Sequence, residues 1–297
     1  MQTSIHKHSA KSRHLTLGLL LLVAPWVLIP TTTQATNYHI EHQYSQLLQN
    51  SVDAENIVWL NAGLPLKTLG LFQKAQGKRL GTVIILPDLN QHPDWPQITH
   101  PLRIKLSNYG WDTLSIQMPI KETNASLSQL ENIYQIAAAR ITAAMAYLRK
   151  KRAENIIVLA LRHSANIAIR YLAENLTTRE IRAIISISAF DSSWINSSPL
   201  LQKITIPFLD IIAQNDQPAV LRAAPKRLVS AHFSGLKQRS PPRTSRSAKV
   251  NQLAKNKTGN LFYRQVVING ANPQFSNPPS TLIKTIRGWL KSLELNQ

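Results

Sequence analysis

Apolar segments alternate with amphipathic ones along most of the chain after residue 56. The predicted strands are short, mostly apolar and rich in β-branched residues, as is typical of strands buried on both faces; they are Thr82–Leu86, Thr113–Gln117, Asn155–Ala160, Ala183–Ile187, Phe208–Ala213 and Phe262–Ile268. Helical spacing or length marks the segments 98–109, 127–152, 165–176, 219–230 and 280–293. Strands that alternate with helices predict right-handed crossovers and an α/β fold with a mainly parallel, doubly wound sheet.

The two ends of this alternating region depart from the pattern. Segments 56–60 and 68–74 flank the turn signal Gly63-Leu64-Pro65 and predict an antiparallel hairpin ahead of the parallel strands. Residues 36–56 are polar, and we expect a helical or extended lead-in. Residues 236–258 combine Pro and Ser with seven Lys or Arg, which predicts an exposed or disordered basic insertion in a single domain covering residues 36–297.

The first 35 residues have the organisation of a secretory signal. Lys7, Lys11 and Arg13 precede the apolar run 15–29, and the small residues at 33–35 suit a signal peptidase. The run is shorter than the roughly 20 residues that usually span a bilayer, so an uncleaved anchor is the less favoured alternative. No second apolar run of that length follows. We therefore expect a periplasmic mature chain without a transmembrane segment.

The charge of the chain indicates which kind of partner it could contact. The formal charge is +19, and the stretch between Asp216 and Glu294 holds 14 Lys and Arg but no acidic residue. This excess favours contact with an anionic partner, such as an envelope polymer or lipid headgroups, and the insertion supplies the candidate binding residues Arg239, Arg243, Arg246 and Lys249. A merely solvated loop is the alternative. Only 6% of residues are aromatic and no base-reading motif occurs, which argues against nucleic acid.

The absence of cysteine removes several classes of chemistry. With no Cys in the chain, disulfides, cysteine-ligated zinc, iron–sulfur clusters and a thiol nucleophile are excluded. No cofactor motif occurs, so none is expected. His92, Asp94 and His100 lie close together in sequence, but surface or capping roles are favoured over metal binding, and no metal site is predicted.

The segment after the strand at 155–160 reads Arg162-His163-Ser164-Ala165-Asn166. It resembles the G-x-S-x-G nucleophile elbow of α/β-hydrolases, with Ser164 in the nucleophile position. More specifically, the sequence segments 86–119, 206–220 and 286–292 resemble a domain-of-unknown-function family of α/β-hydrolase-like bacterial envelope proteins. This resemblance implies an α/β-hydrolase-like fold and an envelope location, and it implies no established substrate.

The same resemblance assigns the remaining candidate residues. Asp216 matches the catalytic acid, and the amides of Ala165 and of Asp88 or Leu89 match the oxyanion hole. In the loop 269–275, however, Pro273 stands where the catalytic His is expected, so the base is missing. The elbow glycines are also absent.

Residues 162 and 166 are Arg and Asn in place of those glycines, so we expect a relaxed turn that presents Ser164 less sharply. His163 is expected to point into the packing behind the elbow. The missing base and the missing elbow glycines both weaken the expectation that this protein catalyses a reaction.

Three functions remain open at this stage. The favoured hypothesis is a degenerate, non-catalytic binding or scaffolding module. The second is a serine esterase or amidase in which Ser164 and Asp216 use a base recruited from His92, His100 or His232. The third is a binder of anionic envelope polymers or lipid headgroups that acts through the basic C-terminal region.

Overall fold

The computed structural model describes Met1 and residues 36–175, 180–192, 194–237, 263–276 and 279–294. Every element described below belongs to the compact unit Gln34–Gln297. The predicted signal segment, apart from Met1, lies outside the described residues. So do most of the basic insertion and its four candidate binding residues, Arg239, Arg243, Arg246 and Lys249, and these expectations stay predictions.

Eight strands form one sheet in the described part of the chain. They are β1 (Ile57–Leu60), β2 (Thr68–Gln73), β3 (Gly81–Leu86), β4 (Trp111–Ile116), β5 (Ile156–Leu161), β6 (Ile181–Ile187), β7 (Phe208–Ala213) and β8 (Tyr263–Ile268). Their order across the sheet is β1-β2-β4-β3-β5-β6-β7-β8. β1 pairs antiparallel with β2, and β2 pairs antiparallel with β4, whereas the remaining neighbours are parallel. The predicted hairpin and mainly parallel sheet are confirmed.

The helices cover both faces of this sheet. They are α1 (Tyr38–Ser51), α2 (Thr99–Ser107), α3 (Leu127–Lys150), α4 (Arg162–Glu174), α5 (Ser197–Leu200), α6 (Pro218–Lys237) and α7 (Pro279–Glu294). One apolar core lies between the sheet and helices α2 and α7, and the core on the opposite face is closed by α3 and α4. The doubly wound α/β class predicted from the alternating pattern is therefore confirmed.

The lead-in residues form helix α1, and a buried ion pair joins this helix to α3. Arg140 Nη2 lies 2.8 Å from Glu41 Oε2, and Arg140 Nη1 donates to the carbonyl of Gln117 at 3.1 Å. Helix α3 itself begins with a capping box, in which Ser126 and Gln129 exchange hydrogen bonds. Among the helices of the described residues, none is both long enough and apolar enough to cross a membrane.

A second buried ion pair stabilises the packing of α6 on the sheet. Asp210 of β7 receives hydrogen bonds from Arg227 Nε at 3.0 Å, Tyr263 Oη at 2.8 Å and Gln265 Nε2 at 2.9 Å. The side chains of Asp210 and Arg227 are both fully buried. Burial alone would raise the pKa of Asp210, but Arg227 and the hydroxyl of Ser186 hold it below its usual value.

Candidate functional site

Four loops meet at the edge of the sheet where the parallel strands end. They follow β3, β5, β6 and β7, and they bring Asp88, Arg162, Ser188 and Asp216 into one polar cluster. β3 and β5 are neighbours in the sheet, yet the chain reaches β4 between them on the other side. In α/β sheets such a topological switch point, at the carboxyl ends of the strands, is the usual place for a ligand site.

The turn from β5 into α4 is occupied by Arg162. This residue follows the last residue of the strand directly and has a φ of 50°, in the left-handed region that non-glycine residues rarely adopt. A sharp strand-to-helix turn in strained backbone is the arrangement that presents a nucleophile in α/β-hydrolases. Here a guanidinium, which has no nucleophilic atom, stands at that point.

The Arg162 side chain crosses the cluster. Its Nε lies 3.1 Å from Asp88 Oδ2, its Nη2 donates to Gln217 Oε1 at 2.5 Å, and its Nη1 lies 3.9 Å from Asp216 Oδ1. The side chain is 15% exposed, so solvent screens these contacts only in part. Arg162 thus connects the loop after β3 to the loop after β7.

Ser164 lies two residues beyond the turn, inside the first turn of α4. It has no exposed surface, and its hydroxyl donates to the carbonyl of Pro87. The structure therefore does not bring Ser164 to the tip of the turn. Its hydroxyl hydrogen bonds to the chain that follows β3 rather than to a histidine.

Two backbone amides converge on a single oxygen atom, Asp88 Oδ1. The N–H of Leu89 donates to it at 2.9 Å and the N–H of His163 at 3.0 Å. One amide comes from the loop after β3 and the other from the residue after the turn, which are the two sources of an oxyanion hole in this class of fold. Leu89 and His163 supply these two amides, whereas the sequence led us to expect Leu89 together with Ala165. Ala165 lies two residues further along α4 and is fully buried.

The carboxylate of Asp88 therefore lies where a reacting oxyanion would be bound. It also accepts from His163 Nδ1 at 2.9 Å, and its side chain is 11% exposed. An anion at a helix N-terminus is stabilised by the unpaired amides and by the helix dipole, and α4 has no capping bond from its own N-cap side chain. A residue of the chain itself thus serves as the anion of this site.

The ring of His163 faces the cluster, contrary to the expectation that it packs behind the elbow. Besides its contact with Asp88, the ring lies edge-on to Phe190, with centroids 4.9 Å apart, and 26% of the side chain is exposed. The reason is the early start of α4, which turns the residue after Arg162 toward the β3 loop.

Asp216 follows β7 as predicted, and its hydrogen bonds come from its own turn and from Ser188 after β6. Its fully buried carboxylate accepts from the Ser188 hydroxyl, from the Ala213 N–H at 3.2 Å and from the Gln217 N–H at 2.8 Å. Asp216 thus caps its own turn and holds the end of β6. No hydrogen bond joins it to a histidine within the described residues.

The loop after β8 docks on the loop after β7. The N–H of Asn215 donates to Ala271 O at 3.0 Å, and the N–H of Gly270 donates to Gln214 Oε1 at 2.7 Å. Pro273 follows in this loop, at the position where the resemblance leads one to expect the base. Its side chain carries no group that can accept a proton.

The other histidines proposed as bases have different partners. His92 is buried, its Nδ1 accepts from the Asp94 N–H at 3.2 Å, and its ring lies 5.1 Å from that of Trp95. Burial lowers the pKa of His92, because it penalises the charged form of the ring. His100 Nδ1 lies 2.9 Å from Asp94 Oδ2 at the surface. His232 lies in α6.

A metal site at these residues finds no support in the geometry. Asp94 Oδ1 lies 2.9 Å from Arg103 Nε, so a guanidinium takes one of the oxygens that a cation would need. Burial would raise the pKa of Asp94, but Arg103 and His100 hold it below its usual value. No group of three potential ligands that could hold a metal ion occurs among the residues that the structure describes.

The fold is similar to those of several esterases and hydrolases. Est1E from Butyrivibrio proteoclasticus is 12% identical, with a TM-score of 0.56 over 81% of this chain and 98% of that one. Dienelactone hydrolase from Anabaena variabilis is 16% identical, with a TM-score of 0.56 over 80% and 96% of the two chains. The Pyrococcus furiosus esterase Pf2001 is 14% identical, with a TM-score of 0.57 over 80% and 91%. At such low identity, these similarities establish the fold alone.

The topology and these similarities define an α/β-hydrolase-like protein. Residues 28–134 and 123–241 match the family described as "Protein of unknown function (DUF3530)". Because these matches cover more than half of the 297 residues, the chain belongs to that family. No curated protein matches the chain in sequence. The resemblance to an α/β-hydrolase-like family of unknown function is thereby confirmed.

Sequence reasoning missed the roles of Arg162 and of the Asp88 side chain. The strand predicted to end at Ala160 continues to Leu161, so the turn falls at Arg162. Ser164 was favoured because it carries a hydroxyl that can act as a nucleophile. Counting from the end of the strand would have found Arg162. The side chain of Asp88 left no such signal, because its partners other than the Leu89 amide come from the distant residues Arg162 and His163.

Proposed function

We propose that this protein is a non-catalytic member of the α/β-hydrolase fold that acts as a binding or scaffolding module. The observation that carries the proposal is the position of Asp88 Oδ1, which accepts from both the Leu89 and His163 amides. An oxyanion formed in acyl transfer needs these same donors. Here it would have to compete with a carboxylate that the chain holds at the site permanently.

The electrostatic consequences of this arrangement are unfavourable for hydrolysis. Loss of a single oxyanion-hole donor typically lowers kcat by about 100- to 1,000-fold, and at this site both donors are occupied. Asp88 would also place a negative charge next to the developing negative charge of the transition state. The single positive charge of Arg162 faces the two carboxylates of Asp88 and Asp216, so the cluster stays net negative and the repulsion is offset only in part.

The nucleophile has a similar difficulty. Ser164 has no exposed surface, and its hydroxyl donates a hydrogen bond to the carbonyl of Pro87. Attack on a substrate would therefore require both the start of α4 and the loop after β3 to move. A serine is activated by an adjacent base, and Pro273 cannot supply one. A serine esterase or amidase would thus need a different arrangement of this entire edge of the sheet.

A fluorophosphonate probe tests the proposal, because it labels activated serines. The purified protein is incubated with the probe beside an active serine esterase, and the Ser164→Ala variant is the matched control. We expect no covalent adduct in a protein whose circular dichroism spectrum shows that it is folded. An adduct that appears in the parent and disappears in Ser164→Ala would overturn the proposal in favour of the esterase.

We also propose that residues 1–35 direct export to the periplasm. The supporting features are the three early cations and the apolar run before Ala35. N-terminal sequencing of the protein recovered from the periplasmic fraction of the producing cells is expected to begin at Thr36. An intact N-terminus in the cytoplasmic fraction would contradict export.

A further inference from the structure

A groove opens at the opposite edge of the sheet, where the parallel strands begin. It has a volume of about 310 Å³ and is lined by Phe72, Lys74, Ala75, Gly77, Arg79, Asp112 and Lys151. Asp112 lies near the start of β4, whereas the polar cluster of Asp88 and Arg162 follows the ends of β3 and β5. The groove is therefore separate from the oxyanion-hole region. Its volume is at the lower end of the range for small-ligand sites, about 300–1,000 Å³.

The loop between β2 and β3, which supplies most of this lining, is held firmly. Asp112 Oδ1 accepts from the Ala75 N–H at 2.8 Å, and Asp112 Oδ2 lies 2.7 Å from Arg79 Nε. The amides of Gln76 and Leu80 each donate, at 2.8 Å, to carbonyls at the C-terminal end of α2 and in the turn before β4. The groove is thus formed before any ligand arrives, which lowers the entropy cost of binding.

An aromatic pair supports the opposite wall. The rings of Phe72 and Tyr147 meet edge to face with centroids 6.1 Å apart, and Lys151 Nζ lies 5.8 Å from the centroid of the Tyr147 ring. A cation placed near an aromatic face is held by electrostatic attraction to the ring. The ammonium group of Lys151 is in this way positioned at the groove.

Charge is strongly biased toward positive around the groove. The two segments that border it, 74–80 and 149–152, contain seven cations, which are Lys74, Lys78, Arg79, Arg149, Lys150, Lys151 and Arg152, and no acidic residue. Asp112 pairs with Arg79, Glu180 pairs with Arg149, and Glu154 follows closely in the chain. Of these residues, three cations, Lys74, Arg79 and Lys151, line the groove together with one carboxylate, Asp112, so the lining itself is net positive.

This excess decides which ligand chemistry suits the groove. The negative end of the α3 dipole, roughly half a charge, lies near Lys150 and is exceeded several-fold by the cations around it. Lysine ammonium groups are compact point charges that suit phosphate, and the arginine here is already directed by Asp112. A phosphate ester presents its oxygens tetrahedrally to cations arriving from several directions, whereas the two oxygens of a carboxylate lie in one plane. A phosphate monoester also carries nearly two negative charges, against one on a carboxylate or a phosphodiester.

We propose that this groove binds the phosphate group of a phosphate ester, with Lys74, Arg79 and Lys151 as the contacting cations. The phosphate can belong to an anionic lipid headgroup or to a free phosphate ester. The site is independent of the non-catalytic function proposed for the other edge of the sheet.

The test compares two phosphate sources on the same protein. Binding to vesicles of phosphatidylglycerol and phosphatidylcholine is measured by co-sedimentation at low and moderate salt, and binding of glycerol 3-phosphate is measured by calorimetry. The groove variant is Lys74→Glu with Lys151→Glu. The matched control is Lys203→Glu with Lys284→Glu, which changes the net charge equally at exposed positions elsewhere.

We expect the groove variant to weaken binding at least about tenfold, and the control pair to weaken it by much less. Loss on vesicles alone identifies a lipid headgroup, and parallel loss for glycerol 3-phosphate identifies a free phosphate ester. If the charge-reversed pair does not fold, Lys74→Gln with Lys151→Gln is expected to weaken binding in the same direction by a smaller factor.

Three results would overturn the proposal. In the first, the parent binds neither ligand. In the second, the groove pair and the control pair lose affinity equally, which indicates net charge alone. In the third, deletion of residues 238–257 abolishes binding while the groove variant binds like the parent, which assigns the site to the basic insertion.

Discussion

Replacing Asp88 by asparagine tests whether its carboxylate is an essential part of this edge of the fold. The asparagine oxygen can still accept from Leu89 and His163, but its amide nitrogen would face Arg162 Nε, so that two donors meet. A hydrogen bond between charged groups contributes about 1.5–3 kcal/mol, and the side chains of Asp88 and Arg162 are only 11% and 15% exposed. We expect the free energy of unfolding to fall by about 2–3 kcal/mol.

Urea unfolding at neutral pH measures this loss, and a thermal melt should show a fall in Tm of about 4–12 °C for a domain of this size. Asp53→Asn is the matched control, because Asp53 is exposed and makes no side-chain capping bond. If Asp88→Asn lowers the free energy of unfolding by no more than about 0.5 kcal/mol beyond the control, the carboxylate does not hold the site as described.

Other perturbations test separate parts of the molecule. Arg227→Met leaves the buried Asp210 without its cation and should cost about 3–5 kcal/mol in urea unfolding; a loss below about 1 kcal/mol would contradict the buried pair. Arg162→Ser places a hydroxyl at the turn but should hydrolyse p-nitrophenyl esters no faster than the parent, and turnover would refute a closed oxyanion hole. In the folded protein Arg103 lowers the pKa of Asp94, so in acid the unfolded chain binds more protons than the folded chain. The free energy of unfolding should therefore decrease as the pH falls below about 4, and Asp94→Asn should make this decrease less steep. An unchanged slope would count against the Arg103 contact.

The fold was largely predictable because its elements are determined by local patterns. The run at 208–213 was predicted with the bounds that the structure has for β7, and the hairpin and the last helix lie within one residue of their predicted ends in the described chain. Apolar runs buried on both faces and helical spacing are properties of neighbouring residues. The handedness of the crossovers limits the order of the strands but does not determine it.

The candidate site was less predictable, because it depends on tertiary hydrogen bonds. A positive φ is unfavourable for a non-glycine residue, so the identity of Arg162 argued against a sharp turn at that position. The contacts of its side chain with Asp88 and of its neighbour His163 with the same carboxylate become visible only when residues about 75 positions apart meet.

For Asp216 as well, the sequence predicted where the residue lies in the chain but not which groups it contacts. Its place after β7 followed from the sequence, since a late strand and a polar turn are local features. Its hydrogen bond with Ser188, at the end of the neighbouring strand, depends on the packing of two loops. The sequence indicated the loops after β3, β5 and β7, and the structure was needed to show that the loop after β6 joins them and that these loops form hydrogen bonds with one another.

The amide proton signals of Leu89 and His163 in nuclear magnetic resonance spectra test the filled oxyanion hole most directly. Hydrogen bonds to a carboxylate move amide protons downfield, so both signals should lie downfield at neutral pH and both should move upfield in Asp88→Ala. Signals that stay in place in this variant would show that the carboxylate is not on these amides. The oxyanion hole would then be open, which contradicts its occupation by Asp88.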